Sequence, residues 1–548
     1  MKKYINRLGF KITFLLGIVI SISACKKDDQ PKAAARSFKP SDVKVSASAT
    51  SAKLTWTAPL MSAGKALKYS IDFSTDSLFS SIKYSTTSDT TGISVTEDNL
   101  SVRTKYFARV KANATETQPE SKYLVSSSFQ LTGIQLFLPV RDSEIKETGI
   151  TLRYTPTVGL TSIVLTPSTG NAITATLSTG DAAAGLKAIT GLTAGIKYNA
   201  ELFAGTKSKG ITTFTTQMPT SYTTVISATD DLAATIAAAT NGAVIGLNPG
   251  TYNLTAATTF ITQKTITLKS TSGNATDTKI NYKEFDLEGT GAGLTLSGLE
   301  LDGTPGASPY FINLIGSQTN NASAATFTNL VIDNCIAHGS TTAFLRGDRG
   351  GAAKDFKITG ITVNNSIVYD MGANGTSTYY TFNITKLQFN TLTVSKSTFY
   401  NCGPGLVLTS TAFVGDQTPT VLISYSTINA FGGSAKYALL DANTNPINFS
   451  IQNSILANTP RAGTVNAAAI RGTGAGSSIT ISNTNYFNLN SALTGGTALT
   501  FGTATLSVTQ QQNLGWTAST TDFTLPVGST LRTSSTTGTA IGDPRWAF

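Results

Sequence analysis

The sequence predicts an all-β chain: two β-sandwiches, then a right-handed parallel β-helix capped at its amino end by a helix. Three observations carry this. A pattern of one aliphatic, two polar residues, a Ser or Thr (Cys335 in the first copy), then an alternating apolar run starts at Ile332, Val363, Val394, Ile423, Ile451 and Ile481, in steps of 31, 31, 29, 28 and 30 residues. A fixed period of that size marks a solenoid of one repeated supersecondary unit, and the period-two alternation within each copy marks strands. Upstream, a Leu and a Tyr six residues apart occur at Leu100/Tyr106 and again at Leu192/Tyr198, ninety-two residues later. That distance is about one sandwich domain.

In chain order, Lys2, Lys3 and Arg7 lead into an apolar run from Ile12 that stops at Cys25, too short to span a membrane and stay there. Ile22-Ser23-Ala24-Cys25 resembles a bacterial lipobox, which implies residues 1–25 as a lipoprotein signal and a lipid on the Cys25 thiol. Lys26-Lys27-Asp28-Asp29 resembles the signal that sends lipoproteins of Gram-negative glycan-degrading bacteria to the outer cell surface. The resemblance therefore implies an outer-membrane protein, held by lipid and facing the exterior. Residues 26–37 read as a tether.

Four of the 41 basic and none of the 31 acidic residues lie in that leader, so the rest of the chain carries about +6. No Lys/Arg block or basic stripe interleaved with aromatics appears, which argues against nucleic acid as a partner. Mild positive charge suits an acidic polysaccharide. Thr, Ser, Gly and Asn dominate, and charged residues are 13%, a composition that fits exported β proteins. A monomer is expected.

Residues 38–130 form the first predicted sandwich, with Trp56 in a strand of its core. The Leu100/Tyr106 spacing resembles the tyrosine corner of fibronectin type III domains. Residues 131–217 form a second, fibronectin- or immunoglobulin-like sandwich on the strength of Leu192/Tyr198. Both read as spacers, since fold alone assigns no binding role.

The β-helix is expected over residues 222–548. Thr229 or Asp230 can cap a helix in which Leu232, Ile236 and Ala239 share a face, with Asp231 favouring the dipole and Asn241-Gly242 ending it. Such a helix covers the open end of a solenoid. Helix, aliphatic strand and Pro249-Gly250-Thr251-Tyr252 resemble the start of pectate-lyase-like β-helices. Ile541-Gly542-Asp543-Pro544-Arg545-Trp546 resembles the ending of surface lipoproteins that join fibronectin-like modules to a β-helix. The third template position, Asn334, Asn365, Lys396, Tyr425, Asn453 and Asn483, is expected at a left-handed corner between two strands. Positions four and six point inward and position seven outward. Cys335 and Cys402 are then buried free thiols two coils apart, out of disulfide reach.

Three chemistries are known on this fold. Paired carboxylates for hydrolysis are not evident: there is no Asp-Asp step, and the single histidine, His338, lies between Ala337 and Gly339. A calcium site needs stacked acids, but Asp302, Asp333, Asp370 and Asp441 fall at differing template positions. Glu300 and Asp302 share an outward face and read as a solvated strand, so no cofactor is expected, with Ca2+ left open although no column of carboxylates forms. The third chemistry is the β-elimination of chondroitinase B and alginate lyases. Phe344-Leu345-Arg346-Gly347-Asp348-Arg349 resembles the stretch that holds that family's Arg, which implies Arg346 as a catalytic residue and Asp348 and Arg349 as substrate contacts. The family's Lys has no counterpart in residues 320–328. His338, eight residues before Arg346, is the substitute base the sequence offers. Position seven holds His338, Tyr369 and Tyr400, an expected outward strip with the two tyrosines as sugar platforms. Two functional readings stay open: a surface lipoprotein of a polysaccharide-utilisation system that binds a polyuronate such as pectin, with lyase cleavage undecided, or an adhesin or stalk with no glycan substrate.

Overall fold

A computed structural model describes residues 35–352, 355–374, 376–409 and 417–548. The signal, Cys25 and most of the tether lie outside the described residues. The chain divides into two compact units, Met1–Leu136 with Gly159–Val164 and Glu201–Ile211, and Phe137–Val158 with Leu165–Ala200 and Thr212–Phe548.

The first unit holds an antiparallel sandwich. One sheet pairs Ser41–Ala47, Ser51–Thr57 and Gly92–Thr96; the other is built on Tyr69–Ser74 and Lys105–Ala112. Trp56 is buried and meets Tyr69 edge-on at 5.2 Å. The tyrosine corner closes as expected, with the Tyr106 hydroxyl accepting the Ser101 backbone N–H at 3.1 Å beside buried Leu100. The second corner has the same geometry, Thr193 N–H to Tyr198 Oη at 2.9 Å, with Leu192 buried. Within the second unit, Lys269 bonds both Glu147 and Thr220, and Lys146 reaches the Gly273 carbonyl. Within that unit, Lys146 and Glu147 are thus tied to the coils by side-chain bonds as well as by the chain.

The remainder is a parallel β-solenoid whose strands form three sheets of eleven, nine and eight. Each coil from Thr265 to Gly472 supplies one strand to each, and the copy at Ile481 supplies only the first two among the described residues. Ala325–Asp333, Phe356–Asn364 and Leu387–Ser395 neighbour one another in the first sheet. Ile336–His338, Ile367–Met371 and Thr398–Cys402 do so in the second. Ala343–Arg346 and Phe382–Asn383 belong to the third. The first template position is buried in all six copies, at no more than 2% exposure.

The corner between first and second sheets follows from position three. Asn334, Asn365, Lys396, Tyr425, Asn453 and Asn483 all have φ between 46° and 52°. Asn tolerates this region; Lys396 and Tyr425 adopt it because the neighbouring coils impose it. The turn leaves the N–H of position four buried with no strand to meet, and the template's Ser fills that need. Ser366 Oγ accepts the Cys335 N–H, Ser397 Oγ that of Ser366, Ser426 Oγ that of Ser397 and Ser454 Oγ that of Ser426, at 3.0 to 3.4 Å. Each hydroxyl in turn donates to the carbonyl two residues back, as Ser397 does to Ser395 at 2.7 Å. Cys335 Sγ makes the equivalent weak contact to Asp333 at 3.3 Å. Both Cys335 and Cys402 are free and buried, and burial raises each thiol to about 12.

A second left-handed column occurs at template position eight: Gly339, Asp370, Asn401, Ala430, Asn458 and Asn488, with φ of 84° at the glycine and 51° to 55° at the others. It bends the chain toward the third sheet. The Asn and Gly at four of these six positions were a readable sign of it.

The capping helix spans Leu232–Ala238 and buries Leu232 and Ile236. Its N-cap is Asp231, which accepts the Ala234 N–H at 2.9 Å, rather than Thr229 or Asp230. Asp230 is taken by the backbone and hydroxyl of Ser227. Lys264 closes the other end on the carbonyls of Ile236, Ala237 and Ala239.

Replacing Ser397 with Ala strands the buried Ser366 N–H, so the β-helix unfolding transition in urea should lose about 1–3 kcal/mol. An unchanged midpoint would show that this ladder contributes nothing.

Candidate functional site

The third sheet carries a polar row on its outer face. Its register aligns Asp286, Asn313, Arg346, Asn383, Leu408, Asp441 and Arg471 in consecutive coils. Apolar neighbours such as Phe285, Leu345 and Phe382 point into the core, so alternation turns this row outward.

Arg346 is the centre of the row. Its Nε donates to Asp348 Oδ1 at 2.7 Å and its Nη1 to the Tyr310 hydroxyl at 3.2 Å. The guanidinium lies 4.8 Å from the Tyr310 ring and 5.4 Å from that of Tyr379, and the two rings meet edge-on. Burial opposes the Arg346 charge, but Asp348 outweighs it and the pKa is raised. Asn383 donates to the other Asp348 oxygen at 3.1 Å, and Arg349 Nε donates to Asn313 at 3.2 Å. The expected trio of Arg346, Asp348 and Arg349 is therefore together. Tyr310, Tyr379, Asn313 and Asn383 join it without having been singled out by any motif.

His338 does not join it. It lies in the second sheet, with Nε2 3.3 Å from Glu300 and Nδ1 3.5 Å from Asp302. Its nitrogens face these carboxylates and not Arg346, so a base role beside Arg346 has no geometric support. The expected line of His338, Tyr369 and Tyr400 does form, stacked at 4.5 and 4.9 Å with 7° between planes. Tyr400 also abuts Phe523 at 5.7 Å. Ring faces that a sugar would cover are spent on one another, so Tyr369 and Tyr400 act as packing in the solenoid rather than as an open platform. Burial raises the Tyr369 hydroxyl to about 12.

Glu300 and Asp302 are not a merely solvated pair. With His338 they bring three possible ligand atoms within 4.8 Å of one another. Lys279 lies 3.1 Å from Glu300 and 2.8 Å from Asp302, so an ammonium already supplies the balancing charge. Burial would raise the Asp302 carboxyl, yet the bonds from Lys279 and Thr304 bring it below its usual value.

Paired carboxylates do exist, contrary to the sequence reading. Glu284 and Asp286 are both buried at the start of the polar row. Burial, and then the neighbouring Asp286 carboxyl, raise the Glu284 pKa against the pull of Arg349 and Arg346. Asp286 is raised as well, chiefly by burial. The signal was legible as Glu284-Phe285-Asp286-Leu287-Glu288, acids alternating with apolar residues at the period of a strand.

A raised Glu284 pKa means that the fold holds this proton more tightly than the unfolded chain does. The associated stability is complete below the ordinary glutamate value and is lost as pH rises through the folded value. Glu284→Gln should therefore flatten the fall of the melting temperature from pH 5 to pH 9 and stabilise the protein at the upper end. About 1.4 kcal/mol is expected for each tenfold difference in proton affinity that it removes. Parallel pH profiles for variant and wild type would contradict the shift.

A model described as fibronectin type III domain matches residues 38–127, and one described as a domain of unknown function (DUF4957) matches residues 250–402. A search of curated proteins finds no match. Among solved structures, a two-domain fibronectin type III segment of chicken tenascin is 18% identical, with 33% of this chain and 99% of that one covered and a TM-score of 0.18. The FN1–FN3 domains of chicken CNTN1 are 13% identical, with 34% and 69% covered and a TM-score of 0.16. The chain thus combines a fibronectin type III domain with a parallel β-solenoid of about nine turns.

Proposed function

We propose that the outward row of the third sheet binds an acidic polysaccharide of the polyuronate class. One observation carries the reading: the Arg346 guanidinium, paired with Asp348, stands against the Tyr310 and Tyr379 rings, with Arg349 on the Asn313 amide and Asn383 on Asp348 beside it. Guanidinium suits a uronate carboxylate, an aromatic ring suits the apolar face of a sugar, and amides suit its hydroxyls. Binding rather than β-elimination is the favoured activity. Residues 320–328 supply no lysine, His338 belongs to another sheet, and burial raises the Tyr310 hydroxyl to about 12, which makes it a poor base near neutral pH. In this reading the protein is a lipoprotein of a polysaccharide-utilisation system, anchored through Cys25 to the outer membrane and facing outward. A fibronectin type III domain with a parallel β-helix is equally compatible with a structural protein, which is the competing reading.

Calorimetric titration with polygalacturonate and alginate should show binding that weakens as salt rises. Arg346→Ala should lower the affinity at least about tenfold, or 1.4 kcal/mol. Appearance of unsaturated product in the ultraviolet would make the protein a lyase. Indifference to both polymers would favour the structural reading.

Labelling cells with a fatty-acid analogue should mark the wild-type protein, and Cys25→Ser should lose both the label and the membrane association. Label retained by the variant would remove the anchor.

A further inference from the structure

The first sheet offers a separate cavity on a different sheet from Arg346. Thr326, Lys357 and Gln388 occupy one register position in three successive coils. Their neighbours Phe327, Ile358 and Phe389 are core residues, so these three side chains point away from the core. Thr326 and Lys357 are exposed, as an outer row should be, but Gln388 is 7% exposed. With Asn390, Gln417 and Pro419 they line a cavity of 330 Å³, near the lower end of the roughly 300–1,000 Å³ common for small-ligand sites.

The Gln388 amide has no hydrogen-bond partner among the described residues, at either its nitrogen or its oxygen. Burying an amide with both ends unused is unfavourable, and an apolar residue of similar volume would avoid the cost. An amide offers a donor and an acceptor side by side. The complementary ligand carries a donor and an acceptor at the same spacing, as two adjacent sugar hydroxyls do. Among the described residues the wall carries one charged side chain, Lys357, with Asn390 and Gln417 able to exchange further bonds and Pro419 giving apolar surface.

From the unpaired Gln388 amide at the floor of this cavity, we infer a second saccharide site on the first sheet, which takes one uncharged sugar ring, a branch or terminus of a glycan, through adjacent hydroxyls. It does not depend on the Arg346 site.

The test uses the full chain and saturation-transfer NMR with free glucose, galactose, mannose, xylose, arabinose and rhamnose, and with galacturonate as the charged comparison. At least one neutral sugar should receive saturation, Gln388→Met should weaken that binding about tenfold or more, and Arg346→Ala should leave it unchanged. Gln388→Met should also raise the melting temperature of the free protein, because it removes an unpaired buried amide without opening a cavity. Failure of every neutral sugar, binding of galacturonate alone, or neutral-sugar binding that survives Gln388→Met would each overturn the site. A fall in melting temperature would show that the amide is already satisfied and would overturn it as well.

Discussion

The left-handed turn at template position three, with the hydroxyl that serves the N–H after it, is the constraint on which the solenoid rests. A strand that turns so sharply buries a backbone donor with no ladder partner, and a buried unpaired donor is costly. The Ser366, Ser397, Ser426 and Ser454 hydroxyls each accept the donor of the preceding coil and return a proton to their own strand. Every coil therefore checks the register of its neighbour. A slip of one residue would put the hydroxyl outside and an apolar side chain against the stranded N–H.

Because register is held in this way, side chains at one template position form rows, and the three sheets keep distinct chemistries. The second sheet devotes its outer row to the His338, Tyr369 and Tyr400 stack and to the Lys279, Glu300 and Asp302 charge cluster, both of which satisfy themselves internally. The third sheet gathers Arg346, Arg349, Asp348 and the two tyrosines, with the Asp441 and Arg471 bidentate pair further along at 2.7 and 2.8 Å. A solenoid can carry several functions because a row on one sheet hardly perturbs a row on the next.

Much of this was legible from the residues. The position-three corners, the inward Ser and Cys column, both tyrosine corners and the alignment of His338 with Tyr369 and Tyr400 follow from period and residue type. The company of Arg346 did not. The template covers the first two strands of each coil, whereas Tyr310, Tyr379 and Asn383 arrive through connections of unequal length that share no period. His338 and Arg346 are eight residues apart in sequence, yet the left-handed Gly339 and the turn after it carry the chain to another sheet. Proximity along the chain was a poor guide there because each coil turns through three faces. The N-cap was misplaced by one residue because Asp230 and Asp231 are equivalent by type, and only the bond to Ser227 separates them.

Hydrogen exchange read by mass spectrometry, with and without oligogalacturonate, reports where on the solenoid a polyuronate lies. Slowed exchange is expected in the third-sheet segments around residues 343–349 and 379–383, with the second-sheet segments at 367–371 and 398–402 unchanged. Protection confined to the second-sheet segments would place the ligand on the aromatic column and contradict the Arg346 site.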